Sequence, residues 1–130
     1  MLSGLLDIRP SRMDVDFRVT LYERLATGEH VMLCDPWEFR ASYARERKSR
    51  RLLQAGVRQQ LAFRSQQLMA RRLQQGSRLV LVLGVIHEAD RQINYGRGDD
   101  VNAESVKRAG GKPLSIRWYP GSWIELPTRP

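Results

Sequence analysis

Residues 13–23, MDVDFRVTLYE, alternate with a period of two. Val15, Phe17, Val19 and Leu21 point one way, while Asp14, Asp16, Arg18, Thr20 and Tyr22 point the other. This alternation predicts a half-buried β-strand, and its β-branched and aromatic residues suit a pleated surface. A shorter strand is predicted at residues 5–9, LLDIR, ended by Pro10. Gly28 turns the chain, and residues 30–34, HVMLC, read as the return strand of a hairpin that Asp35 and Pro36 break. Residues 77–86, SRLVLVLGVI, are nearly continuous in branched apolar side chains, the pattern of a strand covered on both faces. Near the end, KPLSIRWY, a turn at PGS, and WIELP predict a terminal hairpin.

Two stretches are less plain. Leu53, Val57 and Leu61, then Met69 and Leu73, are spaced by fours, as in a basic amphipathic helix. Gly56 interrupts that pattern, however, and Leu61, Phe63 and Ser65 alternate as in a strand, so periodicity leaves segment 52–73 open between helix and strand. Residues 87–112 are polar, with Gly96, Gly98, Gly110 and Gly111 and the pair Asp99 and Asp100. They are too long for a hairpin loop and predict a functional or packed excursion. About six strands and at most one or two short helices argue for an all-β sandwich or jelly roll.

Composition narrows the class. The 130 residues, 42% hydrophobic, suffice for one domain with its own core. No apolar run approaches the ~20 residues that cross a bilayer, and the opening MLSGLLDIRP has no basic n-region of a signal peptide. Cys34 is the sole cysteine, which excludes an internal disulfide and a cysteine-based metal cluster. Cytoplasmic residence without a membrane partner is the default expectation. The formal charge of +8 is unevenly spread: residues 40–78, bounded by Arg40 and Arg78, hold eleven basic residues against the single acid Glu46, whereas the remainder holds eleven basic and thirteen acidic residues. A solvated arginine-rich face is the plain reading of this segment. A basic nucleic-acid-binding module is the alternative, with nucleic acid the disfavoured partner.

The chain offers little for catalysis. It lacks a G-x-S-x-G elbow, and the similar-looking PGSW belongs to a tight turn. His30 and His87 read as structural or solvated, and Cys34 as a small core or edge residue rather than a nucleophile. Asp99 and Asp100 fit no EF-type calcium spacing and read as a loop turn, and the tripeptide of Arg97, Gly98 and Asp99 is a common chance occurrence. No catalytic residue, metal or cofactor is expected. Trp118, Tyr119 and Trp123 flank the last turn and are the candidate ligand or interface residues. Core packing or interface burial is the first reading, and a sugar-stacking platform, making the chain a carbohydrate-binding jelly roll, is the second.

An ordered set of short motifs resembles a known family. An Asp-x-Asp-Phe strand entrance at residues 14–17, an Arg-Ala-x-Tyr stretch at 40–46, and a Gly-Ser-Arg-hydrophobic strand at 76–83 follow one another. An Asn-x-Gly loop at 94–98 and a last strand ending in Leu-Pro at 124–127 complete the order. Together they resemble the C-terminal domain of the X-Pro dipeptidyl-peptidases and cocaine-esterase-like serine hydrolases. The turn YPGSW and the stretch GVIHEAD depart from that family's pattern. The resemblance implies one domain over residues 1–130, a galactose-binding-like jelly roll shortened at its N-terminal side, with a strand at residues 61–65. It also implies an inactive domain that packs on an α/β-hydrolase domain, in the same or a separate chain, where the catalytic triad lies. Asp14 and Asp16 would then stand at a strand entrance, accepting bonds from loop amides or arginine in a structural role. Missing strands would leave sheet edges open and favour a homo-oligomer, with residues 79–85 or the Trp118 and Trp123 hairpin near the contact and the arginine-rich segment outside it.

Overall fold

The computed structural model describes residues 1–66 and 68–128. Among them are eight strands: β1 (Ser3–Pro10), β2 (Asp16–Arg24), β3 (His30–Met32), β4 (Trp37–Arg40), β5 (Gln59–Arg64), β6 (Arg78–Val85), β7 (Ile116–Trp118) and β8 (Trp123–Glu125). The helical content described is two 3-10 turns, Ala41–Tyr43 and Val101–Ala103, and no described helix is long and apolar enough to cross a membrane. The fold is therefore all-β, built from two antiparallel sheets.

Each sheet is organised around one central strand. In the first, β1 pairs with β5 along one side, Ser3 opposite Arg64 and Ile8 opposite Gln59. Its other side is shared by β7, against Ile8–Pro10, and β8, against Ser3–Leu5. In the second, β2 pairs along its length with β6, Phe17 opposite Val85 and Arg24 opposite Arg78. Its other side is shared by β3 and β4. In both sheets the shared side is one strand interrupted by a bulge: residues 33–36 lie between β3 and β4, and residues 119–122 between β7 and β8. The expected terminal hairpin is thus corrected. The turn at Pro120 and Gly121 does not fold β8 back on β7, because both continue in the same direction along β1.

The alternation of β2 is realised: Val15, Phe17, Val19 and Leu21 are buried, and the first three meet Leu6, Ile8, Leu61 and Phe63 of the opposite sheet in one core. On the side where β4 faces β5 the sandwich is sealed by aromatic rings. Trp37 stacks on Phe39 at 4.5 Å and on Phe63 at 5.5 Å, and Phe39 lies 5.4 Å from both Phe63 and Phe17. Gly4 is required opposite Phe63, since a Cβ there would come within 2.7 Å of the ring and 2.6 Å of the Trp123 carbonyl.

Segment 52–73 resolves as strand at Gln59–Arg64, with Leu61 and Phe63 inward, and without helix among its described residues. Gly56, at φ +74°, makes the turn that would have broken a helix. The strand β4 was not foreseen, although Trp37 and Phe39 alternate with Glu38 and Arg40. The expectation that residues 77–86 are covered on both faces is also corrected. β6 is at most half-buried, with Leu79, Val82 and Val85 exposed, because it forms an outer edge of its sheet.

Candidate functional site

Where β6 faces β7 the two sheets stand apart. The gap is an open groove of about 640 Å3 lined mainly by apolar side chains, including Leu83, Val85, Ile86, Ile93, Ile116 and Trp118. Trp118 pairs with Ile8 on the inner face of its sheet, its ring 6.1 Å from Phe17, and is still 45% exposed because β6 does not reach across to cover it. The far wall is the excursion after β6, through Asn94, Tyr95, Val106 and Ala109.

That excursion is packed. Asn94 donates to the Asp16 carboxylate at 2.8 Å and accepts from the Gly96 amide at 2.9 Å, while the Gly96 carbonyl accepts from the Met13 amide. A side chain at Gly96 would meet the Asp14 carbonyl at 2.5 Å, and its φ of +72° also suits glycine. Glu104 accepts from the Tyr95 and Arg97 amides, and Arg12 donates to the carbonyls of Ala109 and Lys112. Asp99 pairs with Arg97, and Asp100 caps the second 3-10 turn through the Asn102 amide. Both aspartates therefore serve the loop's own conformation.

Outside the groove, four carboxylates, of which Asp7, Asp14 and Glu23 are buried, are each paired with an arginine of the basic segment. Asp14 accepts from the amides of Val15 and Ser42, both at 3.0 Å, from the Ser42 hydroxyl at 2.8 Å and from Arg50 at 3.1 Å. Asp16 takes two bonds from Arg40, at 2.8 and 2.9 Å. Asp7 takes two from Arg58, at 2.9 and 2.7 Å, and that guanidinium also lies 4.2 Å over the Tyr119 ring. Glu23, on the inward face of β2, accepts from Arg71 at 3.0 Å and from the Gln74 amide at 2.6 Å. The structural role expected of Asp14 and Asp16 is what the structure gives them. Arg40, Arg50, Arg58 and Arg71 thus pair with these acids, while most basic residues of the segment, Arg58 and Arg71 among them, are exposed to solvent as the plain reading expects. The partners Arg50, Arg58 and Arg71 were not foreseen individually; the charge segregation between residues 40–78 and the remainder was their only trace.

These pairings predict acid sensitivity. The Arg58 bonds hold the Asp7 carboxyl below its ordinary 3.8, and the Gln74 amide, followed by Ser77 and Arg71, holds Glu23 below its ordinary 4.5. A carboxylate depressed in the folded state stabilises above its unfolded value, and this contribution is lost as pH falls through the folded value. Thermal melting temperatures should therefore be level near neutrality and drop below about pH 4.5. A flat profile down to about pH 3 would count against the pairing.

The other candidate residues are scattered. His30 stands in the β2–β3 hairpin with its ring 6.1 Å from Tyr22, whereas His87 follows β6 at the opposite end of β2, in the groove wall. Cys34 sits in the bulge between β3 and β4, where burial, then the Asp35 charge, push its thiol up and keep it protonated at neutral pH. Trp118 and Trp123 lie on opposite faces of their sheet, one opposite Ile8 and the other opposite Leu5, with Trp123 51% exposed. Tyr119 lies between them in the bulge, its amide donating to the Asp7 carbonyl. The three aromatics do not form one stacking platform. No family model matches the chain, and no curated protein is significantly similar to it.

Proposed function

We propose that this chain is a non-catalytic β-jelly-roll domain of an X-Pro dipeptidyl-peptidase or cocaine-esterase-like acyl hydrolase, acting in the cytoplasm. It packs against an α/β-hydrolase domain, supports substrate access there and contributes to oligomer contacts. The observation that most supports this reading is the apolar groove between β6 and β7, beside an uncovered strand. Contiguous apolar surface of this kind serves burial against another body. The Asp16 contacts add support, because Asp16 with Arg40 and Asn94 joins three of the motifs on which the family resemblance rests.

The coding sequence adjoining residue 1 tests the assignment. An upstream frame encoding G-x-S-x-G at a strand-to-helix turn is expected, and the absence of any hydrolase frame beside it would overturn the reading. In solution, the isolated chain should not turn over a chromogenic X-Pro amide or a short acyl ester. Turnover that disappears in His87→Ala or Cys34→Ala would sink the non-catalytic reading.

A further inference from the structure

The side of the sandwich opposite the groove holds a second opening, a cleft of about 400 Å3 where the edges of β4 and β5 come together. Much of its lining is aromatic. Trp37 and Phe39 come from β4 and Phe63 from β5, and the three rings stack with centroids 4.5 to 5.5 Å apart and interplanar angles of 17° to 27°. Tyr43 joins the lining, 37% exposed and with no ring partner among the described residues.

Tyr43 is placed by the buried network. It ends the 3-10 turn Ala41–Tyr43, in which the Ala41 amide donates to the Val15 carbonyl at 2.8 Å. In the same turn the Ser42 amide and hydroxyl donate to Asp14 at 3.0 and 2.8 Å. Arg45 then donates to the Gln60 carbonyl of β5 at 3.0 Å, which ties the segment across the seam. The cleft is therefore largely formed in advance of any ligand, as small-molecule sites usually are. Arg47 and Arg64 complete it. Other arginines of the basic segment are committed: Arg50 to Asp14, Arg51 to Glu46, Arg58 to Asp7, and Arg40, also in the lining, to Asp16. Among the described residues no ion pair or hydrogen bond holds the side chain of Arg47 or Arg64, and both residues are exposed. Glu38, the one carboxylate of the lining, shares Arg18 with Glu88 and also meets Arg91 at 3.5 Å, so two arginines offset these two acids.

We propose that this cleft binds a nucleotide, its base stacked on the Tyr43 ring and its phosphate held between the guanidiniums of Arg47 and Arg64. Stacking on an aromatic side chain accepts any base, because each has a π-face. The planar fork of arginine matches phosphate oxygens two at a time. Arg47 and Arg64 can turn to those oxygens without breaking an existing ion pair. The volume falls within the roughly 300–1,000 Å3 of small-molecule sites. Other occupants fit less well: an acyl chain would leave both guanidiniums unpaired, and a neutral sugar would find the lining's one carboxylate, Glu38, already taken. The same nucleotide unit is offered by a free mononucleotide and by a single strand, and the test separates the two. The cleft lies away from the β6–β7 groove, and the proposal does not rest on the hydrolase assignment.

Adenosine monophosphate titrated into the 130-residue chain should give saturable binding by calorimetry, with adenosine and inorganic phosphate each weaker. Arg47 and Arg64 are exposed, so Arg47→Ala and Arg64→Ala keep the fold, as circular dichroism can verify. Each should weaken adenosine monophosphate by about tenfold, the loss of one charge-assisted contact. Tyr43→Ala should weaken it by about tenfold or more, the scale of one base–aromatic stack, while Tyr43→Phe should bind as the parent chain does. Arg117→Ala, at an exposed arginine of β7, should change nothing. A single-stranded oligonucleotide that binds no tighter than the mononucleotide assigns the site to free nucleotides. One that binds more tightly, with the same losses in the three alanine variants, assigns it to a strand, and both results uphold the proposal. No saturable binding of adenosine monophosphate, equally tight binding of phenyl phosphate, or a loss in Arg117→Ala equal to that in Arg47→Ala would each overturn it.

Discussion

Asp14→Ala is expected to lower folding stability by about 3–5 kcal/mol, the cost of leaving one partner of a buried ion pair alone. The Asp14 carboxylate is fully buried and accepts from two amides, one hydroxyl and the Arg50 guanidinium. Alanine would leave the amides of Val15 and Ser42 without that acceptor and Arg50 without its anion. Arg50 would keep its bonds to the Gly98 and Asp99 carbonyls but lose its carboxylate partner, and its Nε is already buried with no acceptor. Against a total stability of roughly 5–15 kcal/mol for an ordinary domain, the loss is large enough to populate the unfolded chain. Asp14→Asn keeps an acceptor for the amides and loses only the charge, so it should fall between the two. Urea unfolding measures the difference as a shift in midpoint at unchanged slope. A loss below about 1 kcal/mol would mean that Asp14 closes no network.

Phe17→Ala should cost a similar amount, about 3–5 kcal/mol, through lost transfer energy and the cavity left behind. Phe17 has no exposed surface and sits between Phe39 on the sealed side of the sandwich and Trp118 on the open side. It stands between Trp118 of the groove wall and Phe39 of the aromatic seam. Truncation should therefore deepen the groove as well as weaken the core, and the variant should bind an apolar dye that the parent chain binds weakly. Phe17→Leu retains most of the volume and should cost less than about 1.5 kcal/mol. A truncation as mild as the leucine change would place Phe17 outside the core.

The contrast between these two positions shows how far the sequence could be read. Phe17 was legible because a period of two is a local property: the strand's own geometry puts it on the buried face whatever the partner is. Asp14 was legible in kind, as a strand-entrance carboxylate, but Arg50 as its partner was not. Glu23 shows the same limit more sharply. It follows Phe17, Val19 and Leu21 on the inward face and is fully buried, yet no local rule buries a lone glutamate. Its burial depends on Arg71 and the Gln74 amide, which a later loop carries back to the strand.

The plainest strands were legible in the sequence by itself, though β4 and β5 were not: the alternation of β2, the breaks at Pro10 and Pro36, the apolar run of β6, and the segregation of basic charge into residues 40–78 all follow from side-chain chemistry and short-range geometry. Neighbours and cover came only from the tertiary structure. Hydropathy states what the side chains of residues 77–86 prefer, not whether another layer is present to satisfy them, so a strand apolar on both faces could stand half-exposed at an edge. The turn at Pro120 and Gly121 likewise permits a hairpin. It became a bulge because β1 offers a continuous ladder on which β7 and β8 both bond. The arginine–carboxylate pairs join residues 24 to 51 positions apart, and the bulge is tied to Asp7 across 115. Contacts at such separations depend on how the sheets stack, and no periodicity within a single strand encodes them.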